Sequence, residues 1–184
     1  MSVSLRCYST SLGCPKNRVD TERLLGSLGV ALVPVESPDE AELVFINTCA
    51  FIQPATEESV RTIAQAIADI EDLPKRPLLA VAGCLVGRYH AEDLAPELPE
   101  VDLWLDNSDL EAWPAMLARK LGLPEPTVPG RILSTGPSYA WLKISDGCRH
   151  ACSFCAIPNI RGGHRSHCKD MIVREARALL DQGV

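Results

Sequence analysis

Five short runs rich in β-forming residues, VSLRCYS, ALVPVE, LVFINT, LLAVAG and VDLWLD, alternate with stretches of helical spacing through the first part of the chain. Strands separated by helices are joined by crossovers, and crossovers make neighbouring strands parallel with helices on both faces. The alternation therefore predicts the α/β class, as a doubly wound parallel sheet. Between the first two runs, Arg18 to Leu28 sets Val19, Leu24, Leu25 and Leu28 on one stripe and halts at Gly29, a good residue just past a helix end. Thr56 to Ile70 repeats that logic, with Thr56 as the expected N-cap and Val60, Ile63, Ile67 and Ile70 facing inward. A last helix is expected from about Ser108 to Leu121.

The alternation stops at LPEPTVPGRILSTGP, Leu123 to Pro137, which has four prolines and two glycines and no apolar period. Such a stretch reads as a domain connection, with a long surface loop as its alternative. The expected division is a first domain over 1–122, a linker over 123–138 and a second segment over 139–184. Charge divides at the same place. Residues 1–138 hold 11 basic and 20 acidic side chains, a net of −9, whereas 139–184 hold 7 and 4, a net of +3. An overall charge of −6 argues against a general nucleic-acid coat. No basic leader and no run of about 18 uncharged apolar residues is present, so a cytoplasmic protein without a membrane partner is expected.

In a reducing compartment eight cysteines point to metal ligands or catalytic thiols more than to disulfides. Three of them, Cys148, Cys152 and Cys155, crowd into GCRHACSFCAIP with a spacing of three residues and then two. A closed zinc site wants four ligands, and so does a ferredoxin cluster, so a trio suggests a metal centre with one position free. Zinc stays an alternative, since His150, His164, His167 or Cys168 could supply a fourth ligand. Three further cysteines share a topological position: Cys49 ends LVFINTC, Cys84 ends LLAVAGC, and Cys14 lies in SLGCPKN beyond the first strand. Strand C-termini gather on one edge of a parallel sheet, where such folds bind ligands. Cys14, Cys49 and Cys84 are thus expected to share a metal site, against the plainer reading of each as a small buried hydrophobe. That plainer reading holds for Cys7, inside a strand. Asn47 lies beside the expected site, and Cys168 has no assigned role.

The run YAWLKIS, the cysteine loop with Phe154 before its last cysteine, and the helix KDMIVREARALLDQG resemble the radical S-adenosylmethionine enzymes. Upstream, SLGCPKNRVDTE, INTCAFI and AGCL are similar to the N-terminal domain of the methylthiotransferase family within that superfamily. Pro15 and Lys16 after Cys14, with SYAWLKISDGCRHACSFCAIPNIRG, look like the branch that acts on a ribosomal protein. His167 stands where the family commonly has a second arginine.

The resemblance implies two 4Fe-4S clusters. Cys148, Cys152 and Cys155 would hold one, binding S-adenosyl-L-methionine and cleaving it reductively to a 5′-deoxyadenosyl radical. Cys14, Cys49 and Cys84 would hold the auxiliary cluster, which presents the sulfur. The implied activity is insertion of a methylthio group at the β-carbon of an aspartate in ribosomal protein S-twelve of the small ribosomal subunit, with flavodoxin or ferredoxin as electron donor. A tRNA methylthiotransferase, or a non-catalytic iron–sulfur or zinc protein, is the alternative. The run YAWLKIS, Tyr139 to Ser145, reads as a strand followed by a helix from Asp170 to Gln182, and by the resemblance this βα unit would be the first of a truncated radical-SAM barrel. The 184 residues alone would then be an inactive fragment, with residues beyond 139 loosely held or docked on a neighbouring surface.

Overall fold

The computed structural model describes residues 4–127, 129–136 and 138–184. Val3, which opens the first expected strand, and Val128 and Pro137 of the expected linker lie outside the described residues. The five expected strands form: β1 (Ser4–Ser11), β2 (Ala31–Pro34), β3 (Leu43–Thr48), β4 (Leu78–Gly83) and β5 (Leu103–Leu105). They pair in the order β2-β1-β3-β4-β5, every pairing parallel. The order reverses between β1 and β3, and in an open parallel sheet a crevice opens at the strand C-termini beside such a reversal.

Two apolar layers sandwich the sheet. On one face Leu5, Cys7, Leu43, Phe45, Ala80 and Leu105 pack against α1 (Pro15–Ser27) and α5 (Trp113–Leu121), through Leu24, Leu25, Trp113 and Leu117. On the other, Val44, Ile46, Leu79 and Val81 meet Ile63, Ile67 and Ile70 of α2 (Gln53–Ile70) and Leu85 and Val86 of α3 (Cys84–Tyr89). Every residue of β3 is buried, as suits a central strand covered on both sides. Each large apolar side chain so placed contributes about 1.5–3 kcal/mol.

Helix starts differ from the sequence pattern for local reasons. α2 begins three residues before Thr56, because Pro54 suits the first turn; Thr56 is already helical and its hydroxyl lies 3.4 Å from the Ile52 carbonyl oxygen. Val60 is 42% exposed, since the buried stripe runs through Ser59, Ile63, Ala66, Ile67 and Ile70 instead. The helix expected from Ser108 is a 3-10 turn at Asn107–Asp109 followed by α5. A continuous helix would have put the Pro114 ring against the carbonyl four residues earlier.

A short helix, α4 (Ala91–Leu94), precedes β5, and after α5 the chain forms β6 (Ser145–Asp146), α6 (Ile157–Arg161), β7 (Arg165–Ser166) and α7 (Lys169–Asp181). The strand expected over Tyr139 to Ser145 shrinks to β6, which pairs antiparallel with β7. Its carbonyls are used in other ways: that of Trp141 accepts from Arg131, that of Ile144 from the His167 backbone N–H, and that of Ser145 from Lys16 Nζ. This part contacts the first domain through Lys143, paired with Asp20 of α1, and through Glu175, paired with Arg23, and the linker adds to the contact. Arg131 pairs with Glu22 of α1 at 2.7 Å and with Glu175 of α7 at 2.8 Å, and Ser134 donates to Glu22 through both N–H and hydroxyl. Among the described residues no helix is long and apolar enough to cross a membrane.

Candidate metal centre

Two glycines shape the loops that carry the first cysteine trio. Gly13, at φ +82°, precedes Cys14, and a Cβ there would come 2.6 Å from Cys49 Sγ. Gly83, at φ +99°, ends β4, and a Cβ there would meet Asn47 Oδ1 at 2.3 Å and the Thr48 carbonyl at 2.5 Å. No other residue tolerates both that backbone and that closeness. The β1–α1 loop therefore presses on Cys49, and Cys84 starts α3 directly beside the end of β3. Cys49 and Cys84 are buried and Cys14 is exposed. Burial pushes the Cys84 thiol above its ordinary value; the Arg161 cation opposes that, and charge on Cys49 and Cys14 adds to it.

Amide side chains surround the trio. Asn17, fully buried in α1, donates to the carbonyls of Leu12 at 2.9 Å and Thr48 at 2.8 Å, tying the loop after β1 to the end of β3. Its Oδ1 faces Cys84 Sγ at 3.8 Å and also accepts from Arg161. Asn107 Nδ2 faces the same sulfur at 3.9 Å. Asn47 donates to the Asn17 carbonyl at 2.9 Å and to Thr21 Oγ1 at 3.1 Å, which makes it a brace for α1. Ser59 of α2 clamps the Cys49 backbone by donating to its carbonyl at 2.7 Å and accepting from its N–H at 3.0 Å.

The second trio lies on the loop between β6 and α6. The Cys148 N–H donates to the Gly162 carbonyl at 3.1 Å and the Cys155 N–H to the Cys152 carbonyl at 3.1 Å. Cys148 and Cys155 are half-buried, Cys152 is exposed, and Phe154 is 89% exposed. Among the described residues no three His, Cys, Asp or Glu side chains converge closely enough to chelate a single metal ion. A multi-iron cluster takes each thiolate on a different iron and so accepts a wider spread, and two all-thiol donor sets suit iron–sulfur ligation. Cys7 belongs to the core, where burial pushes its thiol up to about 12. Cys168 stands exposed just before α7.

The family model described as "Uncharacterized protein family UPF0004" matches residues 6–106, the stretch that carries the sheet and the first cysteine trio. The chain belongs to this family. It is 71% identical over 177 residues to a protein of Nitratidesulfovibrio vulgaris named "Ribosomal protein uS12 methylthiotransferase RimO", an alignment covering 96% of this chain and 41% of that protein. Proteins of the same name from Lawsonia intracellularis and Sulfurihydrogenibium sp. are 56% identical over 184 residues and 46% identical over 182, covering 42% and 41% of their lengths. The chain thus spans about two fifths of the length of these curated relatives.

In this UPF0004 member the charges that lock the two cysteine loops together were not legible from sequence. Lys143 Nζ reaches Asp20 and Asp146, each at 2.6 Å, and Arg161 Nη1 reaches Asp20 Oδ2 at 3.3 Å and Asp146 Oδ2 at 3.0 Å. All four side chains are buried. Burial alone would raise the Asp146 carboxyl, but Arg161 and Lys143 hold it far below the usual range. The available signal was an acid and an amide, Asp20 and Asn17, inside the helix that follows Cys14. Their partners lie more than a hundred residues away, which no local pattern encodes.

Proposed function

We propose that the chain is the cluster-binding part of a methylthiotransferase acting on ribosomal protein uS12. The reading is supported by the place of Cys14, Cys49 and Cys84 in the fold, each just beyond the C-terminus of a strand at the edge beside the sheet's reversal. The name borne by relatives of up to 71% identity supports the substrate. In this reading residues 1–122 are the auxiliary-cluster domain, 123–138 the linker, and 139–184 the start of the S-adenosylmethionine-binding domain.

Cys14, Cys49 and Cys84 hold one 4Fe-4S cluster, and Cys148, Cys152 and Cys155 hold the other together with S-adenosyl-L-methionine. When bound, the second supplies the electron that cleaves S-adenosylmethionine, received from a donor such as flavodoxin or ferredoxin, and the first supplies the sulfur transferred to an aspartate β-carbon. The chain's own residues set the conditions for that chemistry. Gly13 and Gly83 let the thiol-bearing loops close up, and Asn17 and Asn107 turn amide groups toward the Cys84 sulfur. The Asp20–Lys143–Asp146–Arg161 set ties the two loops to one frame, and burial of Cys49 and Cys84 keeps water from that side of the site.

Anaerobic reconstitution with iron and sulfide tests the reading. The expected content is about eight irons per chain, four for each cluster. Replacing either trio with alanine halves it, and protein that takes up zinc but no iron or sulfide overturns the proposal.

A further inference from the structure

Arg161 is the last residue of α6, only six positions beyond Cys155, yet its side chain ends at Asn17, the amide that faces Cys84 of the first cysteine trio. Packing explains the reach. α6 lies directly on α3, the helix that Cys84 begins, and the approach is so close that a Cβ on Gly87 would stand 2.5 Å from the Ile160 carbonyl oxygen. From there Nη2 donates to Asn17 Oδ1, the same oxygen that faces Cys84 Sγ at 3.8 Å. Nη1 meanwhile holds Asp146 and Asp20. The planar fork of a guanidinium carries enough donors in fixed directions to serve two carboxylates and an amide at once. The side chain is 6% exposed, so its charge is poorly screened.

We infer that Arg161 is a positioning residue of the first cysteine site, which brings positive charge from the second cysteine loop to the Cys14, Cys49 and Cys84 thiols and thereby raises the reduction potential of the cluster they hold. The inference rests on the cluster reading of those cysteines. Lys16, whose Nζ is 3.5 Å from Asp146, and Lys143 and Arg161 set three cations against the carboxylates of Asp20 and Asp146. Fully ionised, the group carries one net positive charge beside the site. Reduction adds one negative charge to a cluster, and a nearby desolvated cation favours the form with more negative charge. The same contact makes docking of the second cysteine loop part of the electrostatics of the first site.

The test uses the 184-residue chain with Cys148, Cys152 and Cys155 replaced by alanine, so that only the first cluster forms. Its midpoint is read by potentiometric titration followed by electron paramagnetic resonance, in this parent and with Arg161→Gln or Arg161→Lys added. At fixed potential, Arg161→Gln is expected to lower the reduced-to-oxidised ratio at least tenfold, which is a midpoint about 59 mV lower for a one-electron couple. Arg161→Lys, which keeps the charge, is expected to change it less than threefold. Mere loosening of α6 would admit water, which solvates the more charged reduced form and moves the midpoint upward, so the sign separates charge from structure. An unmoved or raised midpoint in the loaded Arg161→Gln protein overturns the inference while leaving the cluster reading intact. So does failure of both variants to load when the parent loads, since the guanidinium is then structural. A parent that takes up no iron and sulfide overturns the cluster reading itself, and the inference with it.

Discussion

Lys143 Nζ lies 2.6 Å from Asp20 Oδ1, with both side chains almost fully buried and 123 positions apart along the chain. The helix after Cys14 and the segment before Cys148 therefore share one desolvated ion pair. Removing one partner of such a pair leaves a buried charge uncompensated, which costs about 3–5 kcal/mol. Asp20→Asn is expected to lower the stability of the chain by that amount in urea unfolding. Adding Lys143→Met leaves Asp146 matched with Arg161, so the double variant should be more stable than Asp20→Asn alone. A double variant as unstable as the sum of both singles would show that the pair is not a unit.

Gly87 sets how closely α6 approaches α3. The added Cβ of Gly87→Ala would meet backbone, the Ile160 carbonyl oxygen at 2.5 Å, as well as Asn107 Nδ2 at 3.4 Å. Backbone cannot swing aside as a side chain does, so α6 must retreat at a cost of about 1–3 kcal/mol. Trypsin should then cut after Arg161, a bond that buried Arg161 protects in the parent. Gly163→Ala is the matched control, because nothing lies within 4 Å of its would-be Cβ. Equal resistance of the two variants would remove the close-packing argument.

Acid should undo the docking of α7 in a defined direction. Burial tends to raise the Glu175 carboxyl, but its hydrogen bond and charge contact with Arg23 and the nearby Arg131 outweigh that and hold it below its ordinary value. A carboxyl lowered by folding contributes stability that is complete above its unfolded value of about 4.3 and lost as pH falls through the lower folded value. Urea midpoints measured from pH 6 down to pH 3 should fall below about pH 4.5, and Glu175→Gln should flatten that part of the curve. A midpoint that rises as pH drops through this range would contradict the assigned sign.

Much of this was legible in the chain because it is written locally. Strand runs, helix stripes and the placing of Cys14, Cys49 and Cys84 after strands all follow from period and position, and the sheet delivers them to one edge. Two kinds of feature were not local. Pro54 and Pro114 shifted helix starts that apolar period alone had put at Thr56 and Ser108. The residues from Tyr139 read as a strand by composition, yet only Ser145 and Asp146 pair, since a strand exists only where a neighbour accepts its hydrogen bonds. Arg161, Lys143 and Asp20 were invisible for the same reason: a buried charge is identified by its partner, and each partner here lies far along the chain.

The eight cysteines should separate by reactivity in a way that also checks the ligand sets. Alkylation needs a thiolate and access to it. In metal-free protein at pH 8, brief iodoacetamide treatment should label the exposed Cys14, Cys152 and Cys168 first and the half-buried Cys148 and Cys155 next. Cys49 and Cys84 should lag because they are buried, and Cys84 further because burial raises its thiol. Cys7 should be last: it is 4% exposed and its thiol is pushed up to about 12, leaving about one part in ten thousand as thiolate at pH 8. Loading with iron and sulfide changes the order only at ligands. Cys14 and Cys152 should become protected while Cys168, equally exposed but outside both trios, stays reactive. Peptide mass spectrometry before and after loading reads all eight at once, and protection of Cys168 with Cys152 left open would mean that the second ligand set has been assigned to the wrong thiols.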